Sequence, residues 1–87
     1  MYKLEIRPSL RKKLKKLVKK NLKQAEIIVK KSEEVLQNPQ HYKNLRKPLQ
    51  NWKRVHIDKS FILTFSLNEN KKIVTLEDYD HHDRIYK

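Results

Sequence analysis

Apolar and polar residues alternate from the start of the chain, with Tyr2, Leu4 and Ile6 set against Lys3, Glu5 and Arg7. A period of two is the pattern of a half-buried strand, and Pro8 ends it. The period then lengthens. Leu10, Leu14, Leu17 and Val18 form one helical stripe, opposite Arg11, Lys12, Lys13, Lys15, Lys16, Lys19 and Lys20, with Ser9 placed to cap the helix. Asn21 followed by Gln24 has the spacing of a capping box and divides this helix from a second. The second carries Leu22, Ala25, Ile28, Val29, Ser32 and Leu36 on one side with Val35 beside them, and ends at Asn38-Pro39.

A polar, proline-containing connection over 40–51 follows, then three short apolar segments. In Trp52–Ile57, Val55 and Ile57 share one face, and Trp52, Arg54 and His56 the other. Phe61–Leu67 is nearly continuous apolar, as a central strand requires, and Ile73–Tyr79 is the next strand. Asp58-Lys59 and Asn68–Lys71 read as the intervening turns. Two helices with one apolar stripe each need a sheet to cover them. The expected class is therefore α+β: an N-terminal strand, a two-helix antiparallel hairpin and a three-strand antiparallel meander, with the helices on one face of the sheet, in one domain over residues 1–87.

Charge narrows the partners. Lys plus Arg number 22 against 10 Asp plus Glu, a formal +12. Such a surface favours a polyanion, because each neutralised phosphate releases counterions. The charge is uneven: the segment 11–31 is almost purely basic, whereas Glu69, Glu77, Asp78, Asp80 and Asp83 gather near the carboxyl end. With no cysteine, a disulfide scaffold or a Cys-ligated zinc site is excluded. No apolar run approaches the ~18 residues of a membrane span, and the amino terminus lacks a signal-peptide centre, so a cytoplasmic protein with no membrane partner is expected.

The candidate chemistry lies in Lys47, Arg54, His56, Ser60 and Phe61, with His81, His82 and Tyr86 near the carboxyl end. If the last strand joins the same sheet, the tail histidines come round to the face of Arg54 and His56. A ribonuclease needs little more. RNA supplies its own 2′-hydroxyl nucleophile, imidazoles titrate near neutrality and suit the two proton transfers, and cationic groups offset the charge added at phosphorus. An aromatic ring can hold an unstacked base. No metal or cofactor is required. Adjacent histidines on a strand point to opposite sides, which makes His81-His82 a poor metal pair.

The runs Leu45-Arg46-Lys47-Pro48-Leu49, Trp52-Lys53-Arg54-Val55-His56-Ile57-Asp58, Phe61-Ile62-Leu63-Thr64-Phe65 and Tyr79-Asp80-His81-His82-Asp83-Arg84-Ile85-Tyr86 resemble the RelE/ParE toxin superfamily. The likeness is to its His-using, YafQ-like branch. It implies the toxin of a type II toxin–antitoxin pair, a ribosome-dependent, metal-independent endoribonuclease that cuts messenger RNA in the A site and is masked by a cognate antitoxin. On this likeness His56 and His82 are the acid–base pair in either order, Arg54 and Lys47 the phosphate contacts, and Phe61 and Tyr86 the base-side contacts. Ser60, His81 and Lys53 border the RNA, and Arg11, Lys12, Lys15 and Lys19 supply affinity for the ribosome. Lys47 stands where the branch has an upstream histidine. Ser60 stands where it has an acid. The alternatives are a ParE-like gyrase inhibitor that cuts no RNA and a basic RNA- or ribosome-binding module.

Overall fold

The computed structural model describes residues 1–45 and 51–85, so Lys47 and Tyr86 lie outside the described residues. The chain runs β1 (Lys3–Ile6), α1 (Pro8–Lys20), α2 (Leu22–Gln37), a 3-10 turn (Pro39–His41), β2 (Lys53–Ile57), β3 (Phe61–Asn68), β4 (Ile73–His81) and a one-turn α3 (His82–Ile85). This is the expected α+β order. The sheet order is β1-β4-β3-β2; β2, β3 and β4 form the antiparallel meander, and β1 lies parallel to β4.

Local chemistry explains the boundaries. The Asn21 side chain accepts from the Gln24 N–H at 3.0 Å, satisfying an orphan donor where α2 begins. Ser9 does not cap α1. Pro8 already occupies the first helical turn, where its fixed φ fits and its missing N–H is not needed, and Arg7 holds the cap position without a side-chain bond. The chain contains no glycine, so non-glycine residues take the left-handed positions of the two hairpin turns, Asp58 at φ 57° and Lys72 at φ 56°. The β2–β3 connection is three residues, Asp58–Ser60, since Ile57 pairs with Phe61.

One face of the sheet packs on the helices. Val55, Ile57, Leu63, Phe65, Val74, Leu76 and Tyr79 meet Leu10, Ile28 and Val35 in a continuous core. Each such side chain fully removed from water contributes about 1.5–3 kcal/mol. Part of each expected helix stripe is displaced: Val18, Leu22 and Val29 are exposed and Gln24 is buried, while Ser32 is buried on the expected side. Both polar groups are satisfied inside. Gln24 Nε2 donates to the Tyr79 hydroxyl at 2.8 Å, and Ser32 Oγ to the Ile28 carbonyl at 2.8 Å.

The edge of β4 beyond the end of β1 is closed by a side chain. Lys13 Nζ donates to the Tyr79 carbonyl at 2.9 Å and to Asp78 Oδ1 at 2.8 Å, and sits 3.5 Å from Asp80 Oδ2. Burial alone would pull this ammonium's pKa down; the bond to Asp78 and the two carboxylate charges outweigh it and raise the pKa. Lys13 thus belongs to the fold, unlike its basic neighbours on α1, which face solvent.

Candidate functional site

Two open grooves flank the β2–β3 hairpin. The first lies along the outer edge of β2, measures about 400 Å³ and is lined by His41, Tyr42, Lys43, Arg54, Val55 and His56. The second lies at the end of β4, measures about 480 Å³ and is lined by Phe61, Asp80, His81, Asp83 and Arg84.

Strand register decides which residues share a face. His56 is level with Ile62 and Asp80 across the sheet, and Arg54 with Thr64 and Asp78. Arg54 and His56 thus stand together on the face away from the helices, as their alternation with Val55 and Ile57 requires. Thr64 and Ile62 between them and β4 are fully buried. The charge along these two rows runs from cationic on β2 to anionic on β4.

Four other candidates fall elsewhere. His81 is level with Phe61, which is level with Ile57, so both His81 and Phe61 lie on the helix-ward face. The expectation that both tail histidines would join His56 fails for His81, because Asp80 has the matching parity. The Phe61 ring is half-buried, stacked on Tyr79 at 5.2 Å and 12° and edge-on to His81 at 5.4 Å. Lys53 is also on the opposite face from Arg54, its ammonium donating to the Tyr42 carbonyl at 3.1 Å and Asn44 Oδ1 at 3.0 Å. His82 leaves the sheet as the first residue of α3. Its backbone N–H donates to the Ser60 carbonyl at 2.7 Å, so the turn that follows His56 also holds the residue that precedes the tail. Ser60 is exposed at the turn, and Arg11, Lys12, Lys15 and Lys19 are exposed on α1.

The second groove has its own polar order. The Asp83 N–H donates to His81 Nδ1 at 3.2 Å, which leaves Nε2 as the protonated nitrogen of the neutral ring. The Asp83 carboxylate lies between the two imidazoles, 3.7 Å from His81 Nδ1 and 3.6 Å from His82 Nδ1, and Arg84 is 3.7 Å from Asp80 Oδ1. Among the described residues no group of three or more His, Cys, Asp or Glu is arranged to hold a metal ion.

His41 and Lys43 belong to the polar connection of the sequence, yet the fold brings both to the β2 groove. Residues 43–45 pair with β2: the Leu45 N–H donates to the Trp52 carbonyl at 2.8 Å and the Arg54 N–H to the Lys43 carbonyl at 3.0 Å. The alternation Tyr42, Asn44 against Lys43, Leu45 is too short and too polar to mark a strand, so the pattern carried little signal.

Comparison with known proteins bears on this arrangement. A scan against models of known protein families gives no match. A curated relative from Methanocaldococcus jannaschii, named "Putative toxin RelE4", is 60% identical over 87 residues, covering 100% of this chain and 93% of its own. Among solved structures, the toxin–antitoxin complex RelBE of E. coli gives a TM-score of 0.78 at 21% identity, covering 93% of this chain and 96% of that one. YafQ of E. coli gives 0.76 at 16% identity, covering 100% of both chains.

Proposed function

The chain belongs to the RelE family of toxins, and from that premise we propose that it is the toxin of a type II toxin–antitoxin pair that cleaves messenger RNA on the ribosome, within the cytoplasm. The observation that carries this reading is the pairing of Arg54 and His56 on the solvent-ward face of β2, two residues apart on an open groove. The fold likeness to RelBE and YafQ supports it, and the RelBE complex supports a cognate antitoxin as partner.

The reaction follows from RNA's own chemistry. His56 takes the proton of the 2′-hydroxyl, and the 2′-oxygen attacks the adjacent phosphorus. The bond from phosphorus to the 5′-oxygen breaks, and His82 gives that oxygen a proton. The products are a 2′,3′-cyclic phosphate and a 5′-hydroxyl. Arg54 meets the charge that builds on the non-bridging oxygens, a role proposed for Lys47 as well; guanidinium geometry suits two such oxygens. Phe61 and Tyr86 take the base side. No helix among the described residues is long and apolar enough to cross a membrane. The exposed cations of α1, Arg11, Lys12, Lys15 and Lys19, supply sequence-independent attraction to ribosomal RNA.

Mapping new 5′ ends by primer extension on a translated message tests the reading. The parent protein generates cuts that depend on ribosomes, and His82→Ala lowers their rate by about 10²–10⁴, the usual range for removing a general acid. Full activity in His82→Ala removes that residue from the mechanism. Growth arrest by the parent without new 5′ ends, together with inhibited gyrase, would favour the ParE-like alternative.

A further inference from the structure

The β2 groove has two walls, and only one of them has been given a role. The second is built by residues 41–43, and its placement follows from hydrogen bonding. Asn44 faces Lys53 in an antiparallel bridge flanked by the two backbone bonds already described. Each further step in that register moves back one residue on one segment and forward one on β2. Lys43 therefore comes level with Arg54, Tyr42 with Val55, and His41 with His56. The 3-10 turn intervenes before the last of these pairs can close, with the His41 N–H bonded to the Asn38 carbonyl at 3.1 Å. The strands part there, and the gap they leave is the groove of about 400 Å³.

His41 is exposed but anchored. Its ring meets the Tyr42 ring edge-on at 5.4 Å, and Tyr42 meets Phe65 edge-on at 5.8 Å. Phe65 is fully buried in the core. Lys53 fixes the same segment by bonding the Tyr42 carbonyl and the Asn44 side chain. A surface imidazole at the end of a mobile loop loses much of its binding energy to ordering; this one is ordered beforehand. Among the described residues the lining carries two imidazoles, a guanidinium and an ammonium and no carboxylate. In a groove of that composition the complementary ligand is an anion with several oxygens, such as a phosphodiester.

We propose that His41 is a substrate contact of this site, donating a hydrogen bond to a non-bridging oxygen of the RNA phosphodiester from the wall opposite His56. This rests on the reading of the chain as an RNA-cutting toxin and adds to it a residue from outside the β2 strand. Arg54 binds the other non-bridging oxygen, and His56 stays directed at the 2′-hydroxyl. Lys43 extends the cationic wall toward the next phosphate.

The test uses the full chain with labelled histidines and a short RNA oligonucleotide 2′-O-methylated at every position, so that it binds without being cut. The His41 and His56 ring resonances should move together as the oligonucleotide is added. His41→Phe keeps the aromatic contact with Tyr42 but removes the donor. It should weaken binding roughly ten- to hundredfold, the range of one charge-assisted hydrogen bond, with thermal stability unchanged. His41→Lys should recover part of the affinity. An oligonucleotide that leaves the His41 resonance in place, whether or not His56 responds, overturns the proposal; so does parental affinity in His41→Phe. This outcome is separate from the fate of the nuclease reading. Failure of the parent to cut translated message would sink that reading while the ring resonances still decided whether His41 touches RNA.

Discussion

The two grooves beside the β2–β3 hairpin are close in size, about 400 and 480 Å³, but opposite in electrostatic design. The β2 groove brings together His41, Lys43, Arg54 and His56, with no acid among the described residues that line it. At the β4 groove, Asp80 and Asp83 stand beside His81 and Arg84, and Arg84 lies 3.7 Å from Asp80 Oδ1. A groove in which carboxylates stand among the cations attracts phosphate less than one in which cationic groups converge. On the proposed reading, the backbone of the RNA lies along β2 and a base lies against Phe61, where carboxylates can accept from exocyclic amines. The shared hinge is the Asp58–Ser60 turn, which follows His56 and whose Ser60 carbonyl binds the His82 N–H.

The largest expected effect separates the grooves directly. His56→Ala should lower the rate of ribosome-dependent cleavage by about 10²–10⁴, as removal of a general base does. His81→Ala should leave the rate within roughly tenfold, because its Nδ1 is engaged by the Asp83 N–H and its ring lies on the helix-ward face. Single-turnover rates on a stalled ribosomal complex check both. Equal losses in the two variants would erase the division of labour between the grooves.

A smaller effect tests whether the β4 groove depends on the core beneath it. The Tyr79 hydroxyl accepts from Gln24 Nε2 inside the protein, and its ring supports Phe61. Burial raises the pKa of this phenol, as does the nearby Asp80 charge, against the lowering effect of the Gln24 bond. Tyr79→Phe keeps the stack but leaves a buried amide donor without its acceptor, which costs about 1–3 kcal/mol. Urea denaturation should show that loss with an unchanged slope. Tyr79→Phe together with Gln24→Leu should recover much of it, since both polar groups are then gone.

These contrasts also show what the linear pattern could carry. Strict alternation in Trp52–Ile57 placed Arg54 and His56 away from the core, and the Asn21-to-Gln24 spacing divided the helices correctly. Period alone does not record a buried hydrogen bond. Gln24 turns inward because it finds the Tyr79 hydroxyl there, while Leu22 and Val29 of the expected stripe are exposed. His81 was misplaced for a related reason: the tail's face depended on β4 continuing as a strand through residue 81, beyond its apolar run. The arrival of His41 opposite His56 needed a pairing between segments separated by a polar connection, which leaves no periodic trace.

The smallest expected effect lies in the β3–β4 turn, which reaches the β2 groove through Gln40, the neighbour of His41. Glu69, in the β3–β4 turn, accepts from the Tyr2 hydroxyl at 2.8 Å and from Lys72 Nζ at 3.1 Å, and Gln40 Nε2 donates to its other oxygen. The Tyr2 bond, followed by the Lys72 bond and charge, holds the Glu69 pKa below its ordinary 4.5 despite some desolvation. The same Glu69 bond leads the causes that raise Tyr2 above its ordinary 10.0. A depressed carboxylate contributes stability that is present above 4.5 and fades as pH falls through its lowered value. A raised phenol contributes stability that is present below 10.0 and fades as pH climbs through its raised value. The tie of β1 to the β3–β4 turn should therefore hold across the neutral range and loosen at both extremes. Amide exchange at Lys3, whose N–H donates to the Lys72 carbonyl at 2.8 Å, reports it. Glu69→Gln should flatten the acid side of that profile without changing cleavage at neutral pH. A profile unchanged by Glu69→Gln would show that the acid sensitivity of this corner comes from other groups, and a loss of cleavage would tie the corner to the chemistry of the β2 groove.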